Sequence, residues 1–499
     1  MKRKKGLDDM FKISERKSSV KVEIFAGIST FLAMAYILVV NPNNILWAGT
    51  NDPRFASVFI ATAIGAFIGC LLMAFLANMP LAQAPGMGLN AIIGSIIGGS
   101  MGFAFSYGNA MAIIFVSGII FVLLSVLPGG RDRVTGKKIA IREKIFEGIP
   151  VPIRQSIPVG IGLFITFIGL QNAHLIVDNQ FTLLALVNFK SPENWISGGV
   201  ACSAIVAIFG LIIISILAHY KVKGAVLIGI LASTLLAIPL GVADLSVLSG
   251  NTPGVSWKFW EYIGDYFNVN NGVFLGVFNG GFKIPDGSLL TFIILIITFV
   301  LIDLFDTLGT VIGCCKNANL LDKNEKPINY KETMYCDCLA TLTSSIVGTS
   351  TVETYVESGA GISEGGRTGL TALVAGILFI LAIFMLPIFA FIPSEAAASA
   401  LIYVGVLMMK NVADIDFTNV RYAVPSFLTL IIMLLSYSIT DGMGIGIVSY
   451  VIIDFVIYII DLIRYDKDSG MEKPKLDSNY VTFIVFILFL IYFLVPTMI

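Results

Sequence analysis

Residues 82–92 read AQAPGMGLNAI and lie inside a part of the chain that is otherwise almost wholly apolar. A proline followed by two glycines, with Asn90 close behind, is poor material for a continuous helix. In lipid, a broken helix leaves backbone N–H and C=O groups without partners, so non-helical backbone survives there only where protein buries it or where it lines a cavity. The stretch therefore predicts an interrupted helix, with extended residues followed by a half-helix that begins near Met87.

Composition indicates a polytopic membrane protein. Of the 499 residues, 56% are hydrophobic and 13% are charged, and the mean hydropathy is +0.88, whereas soluble domains carry about 25% charged residues. The net charge of −1 suggests neither a nucleic-acid partner nor strong attraction to anionic lipid. The sequence has two histidines, no metal-type Cys/His spacing and no GxxxxGKS motif for ATP. We therefore expect a transporter without a cofactor, not an enzyme.

Eleven apolar segments approach the roughly 20 residues that a membrane span needs, and three others cross only if they are bent or broken. The eleven run over 22–41, 55–78, 107–127, 153–172, 197–218, 222–240, 288–313, 368–391, 424–440, 442–463 and 480–498, and the interrupted three over 80–100, 329–346 and 347–362. The total approaches fourteen elements.

Charged residues between the spans predict the orientation of the first two thirds of the chain. The start, MKRKK, is basic, and seven Lys and Arg residues lie in the loop 128–154, whereas the loops 173–196 and 241–287 carry few. Because basic loops stay inside, we expect a cytoplasmic N-terminus in a multi-pass protein of the cell membrane.

An internal repeat is visible in outline. Arg154 and Pro158 open one span with the same spacing as Arg421 and Pro425 open another. The interrupted segments also fall at similar distances from the start of each half. Two halves with corresponding broken helices are typical of inverted-repeat secondary transporters.

Two carboxylates lie inside one apolar span. Asp303 and Asp306, in LIDLFDTLGT (301–310), are three residues apart and therefore share one face of a helix. Charged groups at such positions usually face an internal cavity. We expect a functional role for Asp306. For Asp303 three roles are open: it has a functional role as well, it lies near the membrane edge, or it bonds to a structural partner.

A second broken stretch, GTSTVETYVESGAG (348–361), mixes β-branched residues, glycines and two glutamates. Val, Thr and Tyr favour a short extended segment, and Ser358 could begin a half-helix whose first N–H groups are unsatisfied and partly positive. We expect the two extended parts to pair with each other. Gly88 and Asn90, beside the first break, are expected ligand contacts. Asp337 opens an apolar run and either caps a helix or takes part in coupling.

The expected ligand is a flat, neutral heterocycle that carries N–H groups. Asp306, Glu357, Asn90 and backbone N–H groups surround the predicted site, and no Lys or Arg is evident there to hold an anion. Buried carboxylates also favour the proton as coupling ion. Aromatic rings stack on such ligands. The aromatic residues near the predicted site are Phe31, Tyr36, Phe305 and Tyr355.

Several motifs, in order along nearly the whole chain, resemble the nucleobase–cation symporter-2 family, and within it the AzgA-like purine permeases. They are FKISER (11–16), TFLAMAY (30–36), APGMGLNA (84–91), DLFDTLG (303–309), GTST (348–351), YVES (355–358) and EGGRTGL (364–370).

The resemblance implies an all-α polytopic membrane protein with fourteen transmembrane segments in two inverted seven-segment repeats. Segments 3 and 10 each hold a short strand and a half-helix, and a core domain moves against a gate domain. For this chain that gives a cytoplasmic segment 1–21, a first repeat 22–240, an extracellular connection 241–287 and a second repeat 288–499. It also implies proton-coupled uptake of purine bases (guanine or hypoxanthine before adenine) in a lipid bilayer, by a homodimer.

Motif positions carry the implied roles onto individual residues. Asp306 and Glu357 match the substrate-binding acidic residues of segments 8 and 10, and Gly88 and Asn90 match the contacts of segment 3. Asp337 matches a functional polar residue of segment 9. Asp303 cannot be separated from Asp306, and Ser358 supports the second break.

One departure from the family pattern adds a charge. Relatives usually read TSTVTSY, whereas this chain has Glu353 in place of the later Thr. The added carboxylate either shifts substrate choice or coupling, or faces water. An anion transporter or channel with the same broken-helix architecture is the alternative function, but it predicts a basic residue at the site.

Overall fold

The computed structural model describes residues 6–46, 49–98, 105–131, 138–222, 224–249, 255–268, 272–321, 327–436, 438–465 and 474–494. About 70% of the protein is helical. The helices of the N-terminal part are α1 Leu7–Phe11, α2 Val20–Met34, α3 Ile37–Ile45, α4 Phe55–Leu72, α5 Met87–Ile97, α6 Tyr107–Val126, α7 Ile141–Gly148, α8 Val151–Asn172, α9 Val200–His219, α10 Ala225–Ala237 and α11 Phe259–Phe267.

The remaining helices begin after a loop that contains α11. They are α12 Leu289–Ala318, α13 Tyr330–Val347, α14 Ser358–Ser363, α15 Gly369–Ala382, α16 Leu386–Ala390, α17 Ser394–Met408, α18 Val420–Leu435, α19 Ile439–Arg464 and α20 Tyr480–Leu494. The strands are β1 Gln83–Pro85, β2 Pro128–Arg131, β3 Lys138–Ala140, β4 Ile176–Asn179, β5 Leu183–Leu186 and β6 Val352–Thr354. They form three antiparallel pairs: β1 with β6, β2 with β3, and β4 with β5.

Many of the described helices are apolar enough to cross a membrane. Eight of them are also long enough, and four shorter apolar helices accompany these in the described residues: Ala225–Ala237, Leu289–Val300, Val420–Leu435 and Tyr480–Leu490. Each of the eleven predicted spans overlaps with one of these helices, so the membrane class is confirmed.

The sequence-based prediction was wrong in two places. It missed the apolar helix Ser394–Asp414, because this helix is rich in alanine and carries Glu395 and Lys410, which lower its mean hydropathy. It also expected 329–346 to be bent or broken, whereas α13 runs unbroken over 18 residues. Its polar residues Asp337, Thr341 and Ser344 are fully buried, so protein, and not lipid, surrounds them.

Two compact units divide the chain. The first contains Met1–Val122, Ile168–Asp303 and Thr307–Tyr403, and the second contains Leu123–Phe167, Leu304–Asp306 and Val404–Ile499. The paired strands β1 and β6 lie in the first unit, together with α3, α4 and α13, which pack against them.

The N-terminal segment is part of the first unit. Phe11 and Ile13 are fully buried against Ala74 and Leu370. The guanidinium of Arg16 donates to the carbonyl oxygens of Asn78 at 2.6 Å and Arg367 at 2.9 Å. Residues 11–16 therefore join the end of the second span to the turn before α15.

An acidic side chain in α2, that of Glu23, also binds the turn before α15. Glu23 is fully buried. Its Oε1 accepts from the backbone N–H of Arg367 at 2.9 Å, and its Oε2 accepts from the N–H of Thr368 at 3.2 Å and from the hydroxyl of Thr371. The first turn of a helix has no intrahelical partners for its N–H groups, so Glu23 acts as a cap supplied by another helix.

The second unit contains a buried ion pair. Asp454 in α19 is fully buried and accepts from the guanidinium of Arg421 in α18 and from the backbone N–H of Ser478 at 2.8 Å. Arg421 also lies 3.6 Å from Asp477. Both oxygens of the buried carboxylate are therefore bonded, which a buried charge requires.

We expect Asp454→Asn to lower the free energy of unfolding by about 1.5–3 kcal/mol, because the amide loses the charge that pairs with Arg421, while Asp477 still compensates part of the guanidinium charge. The thermal unfolding midpoint in detergent measures this. Lys258→Gln is the control, since Lys258 forms an exposed pair with Glu261 at 2.9 Å, and such pairs contribute about 0–1 kcal/mol. Equal midpoints for the two variants would contradict the prediction.

Candidate substrate-binding site

The two interrupted segments pair with each other in the first unit, as the sequence predicted. Antiparallel β1 and β6 pair in the register Gln83 with Thr354, Ala84 with Glu353, and Pro85 with Val352. Two further backbone bonds extend the pairing, from the N–H of Gly86 to Thr351 O at 2.8 Å and from the N–H of Tyr355 to Ala82 O at 3.1 Å. Each break therefore satisfies the backbone groups of the other, which is what a low-dielectric surrounding demands.

Each strand leads directly into a half-helix. After β1, α5 begins at Met87 with extended Gly86 as its N-cap, and Gly88 lies in its first turn. After β6, α14 begins at Ser358, as predicted, but it has only six residues. The Ser358 hydroxyl accepts from the N–H of Ala82 at 3.0 Å, so this residue ties the second half-helix to the first strand.

Asn90 is oriented by the opposite break. It is fully buried, and its Oδ1 accepts a hydrogen bond from the hydroxyl of Ser350. Its Nδ2 has no hydrogen-bond partner within the part of the chain that the structure describes. The amide is thus held by its oxygen and keeps a buried N–H donor for another group.

Glu357 is held from the first span. Its side chain is 9% exposed, and its Oε1 accepts from the hydroxyl of Tyr36 at 2.6 Å. Tyr36 lies at the interruption between α2 and α3. A charge-assisted hydrogen bond of this length fixes the position of a carboxylate, so Glu357 is oriented at the start of α14.

The aromatic residues proposed for stacking have other contacts. The hydroxyl of Tyr36 bonds to Glu357, and that of Tyr355 donates to Pro85 O. The ring of Phe31 packs edge-on against Phe379, 5.1 Å between centroids. Phe305 has a side chain outside the described residues. Two of the four aromatic residues, Tyr36 and Tyr355, therefore form hydrogen bonds that stabilise the breaks.

Asp337 and Asp303 lie behind the paired strands. Asp337 Oδ1 accepts from Thr307 at 2.9 Å and lies 3.5 Å from Gln83 Nε2. Asp303 Oδ2 accepts from Thr341 at 3.0 Å. Both carboxylates thus join α12 and α13, and Asp337 also reaches β1.

Helix capping by Asp337, left open by the sequence, is excluded. The N-cap of α13 is Asn329, and Asp337 lies in the middle of this helix. Asp303 is 2% exposed, which fits the reading in which it bonds to a structural partner. Asp306 lies in α12, but its side chain is outside the described residues.

The unusual Glu353 is buried and not solvent-facing. It is 5% exposed, and its carboxylate lies against the Cα of Gly86: a Cβ built there would be 2.0 Å from Glu353 Oε1. Only glycine leaves room for the carboxylate in this position. The alternative that Glu353 faces water is therefore wrong.

Arg54, in a loop outside the membrane-spanning segments, contacts a tyrosine that binds the start of the second break. The Arg54 guanidinium hydrogen-bonds to Asp52 at 2.7 Å and lies 5.6 Å from the ring centroid of Tyr107. Burial alone would raise the pKa of Asp52, but hydrogen bonds from Arg54 and its positive charge outweigh burial and lower this pKa. Tyr107 in turn donates to Gly348 O at 2.7 Å, just before β6.

Sequence reasoning missed the polar residues that support the site. Asn41 donates to Thr62 at 2.7 Å and to Thr349 at 2.9 Å, and Gln83 lies between Asp337 and Thr354. Both are fully buried. A single amide or hydroxyl inside an apolar stretch was the available signal, but it does not reveal its partner hundreds of residues away.

Comparison with known proteins fits this architecture. The model of a family described as Permease family, for xanthine and uracil permeases, matches residues 21–445. The adenine permease AdeP of Escherichia coli is 37% identical over 444 residues, which cover 89% of each chain. The guanine/hypoxanthine permease PbuO of Bacillus subtilis is 34% identical over 452 residues, covering 89% of this chain and 94% of PbuO.

A solved structure supports the fold independently. The transmembrane domain of a cyanobacterial bicarbonate transporter, BicA, superimposes with a TM-score of 0.54 at 13% identity, covering 85% of this chain and 97% of BicA. At this identity the likeness concerns the fold alone. Together, the paired broken helices, the family match and the sequence relatives establish that the chain belongs to the xanthine/uracil permease family of nucleobase–cation symporters.

Proposed function

We propose that this protein takes up purine nucleobases together with protons across the cell membrane, with guanine and hypoxanthine as first substrates and adenine next. The observation that carries the proposal is the crossing of β1 and β6, which brings the first turn of α5 and the carboxylate of Glu357 to one buried region. Relatives named as guanine/hypoxanthine and adenine permeases, at 34% and 37% identity, support purines as the substrate class.

The groups at the crossing match the edges of a purine. Its ring N–H groups would donate to Glu357, and its ring nitrogens or carbonyl would accept from Asn90 Nδ2 and from the backbone N–H groups of α5, which include Gly88. Hydrogen bonds of this kind orient a small neutral ligand in an otherwise apolar site. Asp306 is proposed as a second carboxylate for the substrate, on the basis of its motif alone.

Proton coupling rests on the buried carboxylates. A carboxylate that alternates between a proton and a substrate N–H couples the two without any metal or nucleotide. Glu357 is the proposed coupling group, and Asp337 and Asp303 are proposed to link α12 and α13 to it. This role fits side chains that are bonded across helices and nearly inaccessible to solvent.

The finer architecture is also a proposal. Two inverted repeats, 22–240 and 288–499, with fourteen segments, a core and a gate domain and a dimeric assembly would fit the corresponding breaks at β1 and β6. A cytoplasmic N-terminus is proposed from the basic loops. The anion-transporter alternative is not favoured, because the bicarbonate transporter BicA shares only the fold, at 13% identity, whereas the sequence relatives named above are nucleobase permeases.

Uptake of radiolabelled guanine, hypoxanthine, adenine and uracil into proteoliposomes tests the proposal. With one proton per substrate, a pH gradient of one unit, acidic outside, should accumulate a purine about tenfold. A protonophore should abolish this accumulation, and uracil should compete weakly. Purine uptake that is equal with and without the protonophore would contradict proton coupling, and bicarbonate uptake without purine uptake would favour the anion alternative.

A further inference from the structure

The short helix α11 is attached to the first unit by two tyrosines. Tyr262 and Tyr266 are buried and lie one turn apart, on the same side of the helix. The hydroxyl of Tyr262 donates to Ile383 O at 3.1 Å, and that of Tyr266 donates to Val347 O at 3.0 Å. Val347 is the last residue of α13, directly before the second break. One side of α11 therefore contacts the ends of α13 and α15.

The rest of α11 divides into an apolar side and a charged side. With 3.6 residues per turn, its other apolar side chains lie together, next to the two tyrosines: Phe259, Trp260, Ile263 and Phe267. Trp260 is 61% exposed, and both phenylalanines are exposed as well. On the opposite side Glu261 and Asp265 are exposed, and Glu261 pairs with Lys258 at 2.9 Å. An aromatic side opposite a charged side is typical of helices that lie in the plane of a membrane surface.

The apolar side of α11 continues a lipid-facing surface of the neighbouring span. This span, Gly369–Ala390, is one of the long apolar helices. Exposed apolar residues recur along it at intervals of three and four, and therefore on one side: Ile377, Leu381, Phe384 and Ile388. Such a stripe on a membrane span faces lipid. The ring of Phe384 packs edge-on against that of Phe259, 5.5 Å between centroids, so lipid that covers this span also reaches α11.

We propose that α11 is an interfacial anchor that lies along the lipid–water boundary, with Phe259, Trp260 and Phe267 among the lipid chains and its charged side toward the headgroups. Its nine residues measure about 14 Å, less than half of the roughly 30 Å of a hydrocarbon core, so it lies on the membrane and does not span it. Indole rings favour this layer because they combine an apolar body with one N–H donor. Through Tyr266, the anchor holds the end of α13, and with it the start of the second break, at one depth in the bilayer.

Tryptophan fluorescence of the full chain in lipid nanodiscs tests the position of α11. The chain has four tryptophans, so three substitutions leave Trp260 as the only one: Trp47→Phe, Trp195→Phe and Trp257→Phe. An interfacial helix buries its apolar side about 5–10 Å deep. Lipids brominated near the carbonyl end of their chains should therefore quench Trp260 about twofold more strongly than lipids brominated near the methyl end, and aqueous iodide should quench it weakly.

A matched control moves the indole by one residue on the same helix. Glu261→Trp, combined with Trp260→Phe in the same background, places it on the charged side of α11. The substitution removes only an exposed ion pair with Lys258, and such pairs contribute about 0–1 kcal/mol, so the fold should persist. The introduced indole should be quenched by iodide and hardly at all by brominated lipid.

Three results would overturn the proposal. Quenching of Trp260 by iodide alone would place α11 in water, and quenching by neither reagent would show that protein, such as a second copy of the chain, covers it. Equal lipid quenching at the two positions would show that the bilayer does not orient the helix. Should the substituted background not fold, wild type and Trp260→Phe are compared directly: the substitution should reduce the lipid-quenched part of the emission, and an unchanged part contradicts the proposal.

Discussion

Glu357→Gln should lose purine uptake while the protein stays folded in the membrane. The carboxylate of Glu357 is buried at the start of α14 and is oriented by the hydroxyl of Tyr36 at 2.6 Å. The amide keeps the size and one acceptor but loses the charge, the proton-binding function and part of the capacity to accept from a purine. Hydrogen bonds to charged groups contribute about 1.5–3 kcal/mol, so we expect uptake to fall about 10- to 150-fold.

Initial uptake rates in proteoliposomes, normalised to reconstituted protein, measure the effect. Glu364→Gln is the matched control: this glutamate follows α14 directly and is exposed, and its variant should transport like the wild type. Tyr36→Phe should have an intermediate effect, because it releases Glu357 without removing its charge. Wild-type uptake by Glu357→Gln would remove the central residue from the proposed site.

Glu23→Gln should cause the largest loss of stability. Three donors from the start of α15 and the turn before it converge on this buried carboxylate, and two of them are backbone N–H groups. An amide turns its NH₂ group toward at least one donor and leaves that donor unpaired. Each lost bond to a charged group is worth about 1.5–3 kcal/mol, so we expect the free energy of unfolding to fall by roughly 3 kcal/mol or more.

Thermal unfolding in detergent gives the comparison. Glu15→Gln is the matched control, since Glu15 lies in the same N-terminal part, is exposed and is 4.0 Å from Lys12; its variant should change stability by no more than about 0.5 kcal/mol. Because Arg16 donates to the carbonyl of Arg367, Arg16→Gln should weaken the same region. Unfolding of Glu23→Gln at the wild-type temperature would show that the cap contributes nothing to stability.

The breaks could be predicted from the sequence because proline and glycine act locally. Pro85, Gly86 and the β-branched residues Thr351, Val352 and Thr354 favour extended backbone irrespective of the rest of the chain. Their pairing could be predicted too, because lipid leaves an open strand no other partner. Both half-helices consequently begin where expected, at Met87 and Ser358.

The support of the site could not be predicted in the same way. Tyr36 bonds to a residue 321 positions away and Asn41 to one 308 positions away. Periodicity gives the face of a helix but not the neighbour that this face meets. Glu353 illustrates this limit. Its departure from the family pattern is visible in the sequence, but only the fold shows that its carboxylate contacts Gly86 and is buried from water.

The two strands of the crossing lie 271 residues apart in the chain, which has a consequence for biosynthesis. At a translation rate of about 5–20 residues per second, Gln83 leaves the ribosome roughly 14–54 seconds before Thr354. During that interval the backbone of the first break has no native partner. Until then, the translocon, a chaperone or trapped water must bind these backbone groups. The transport site forms only when the second half of the chain is inserted.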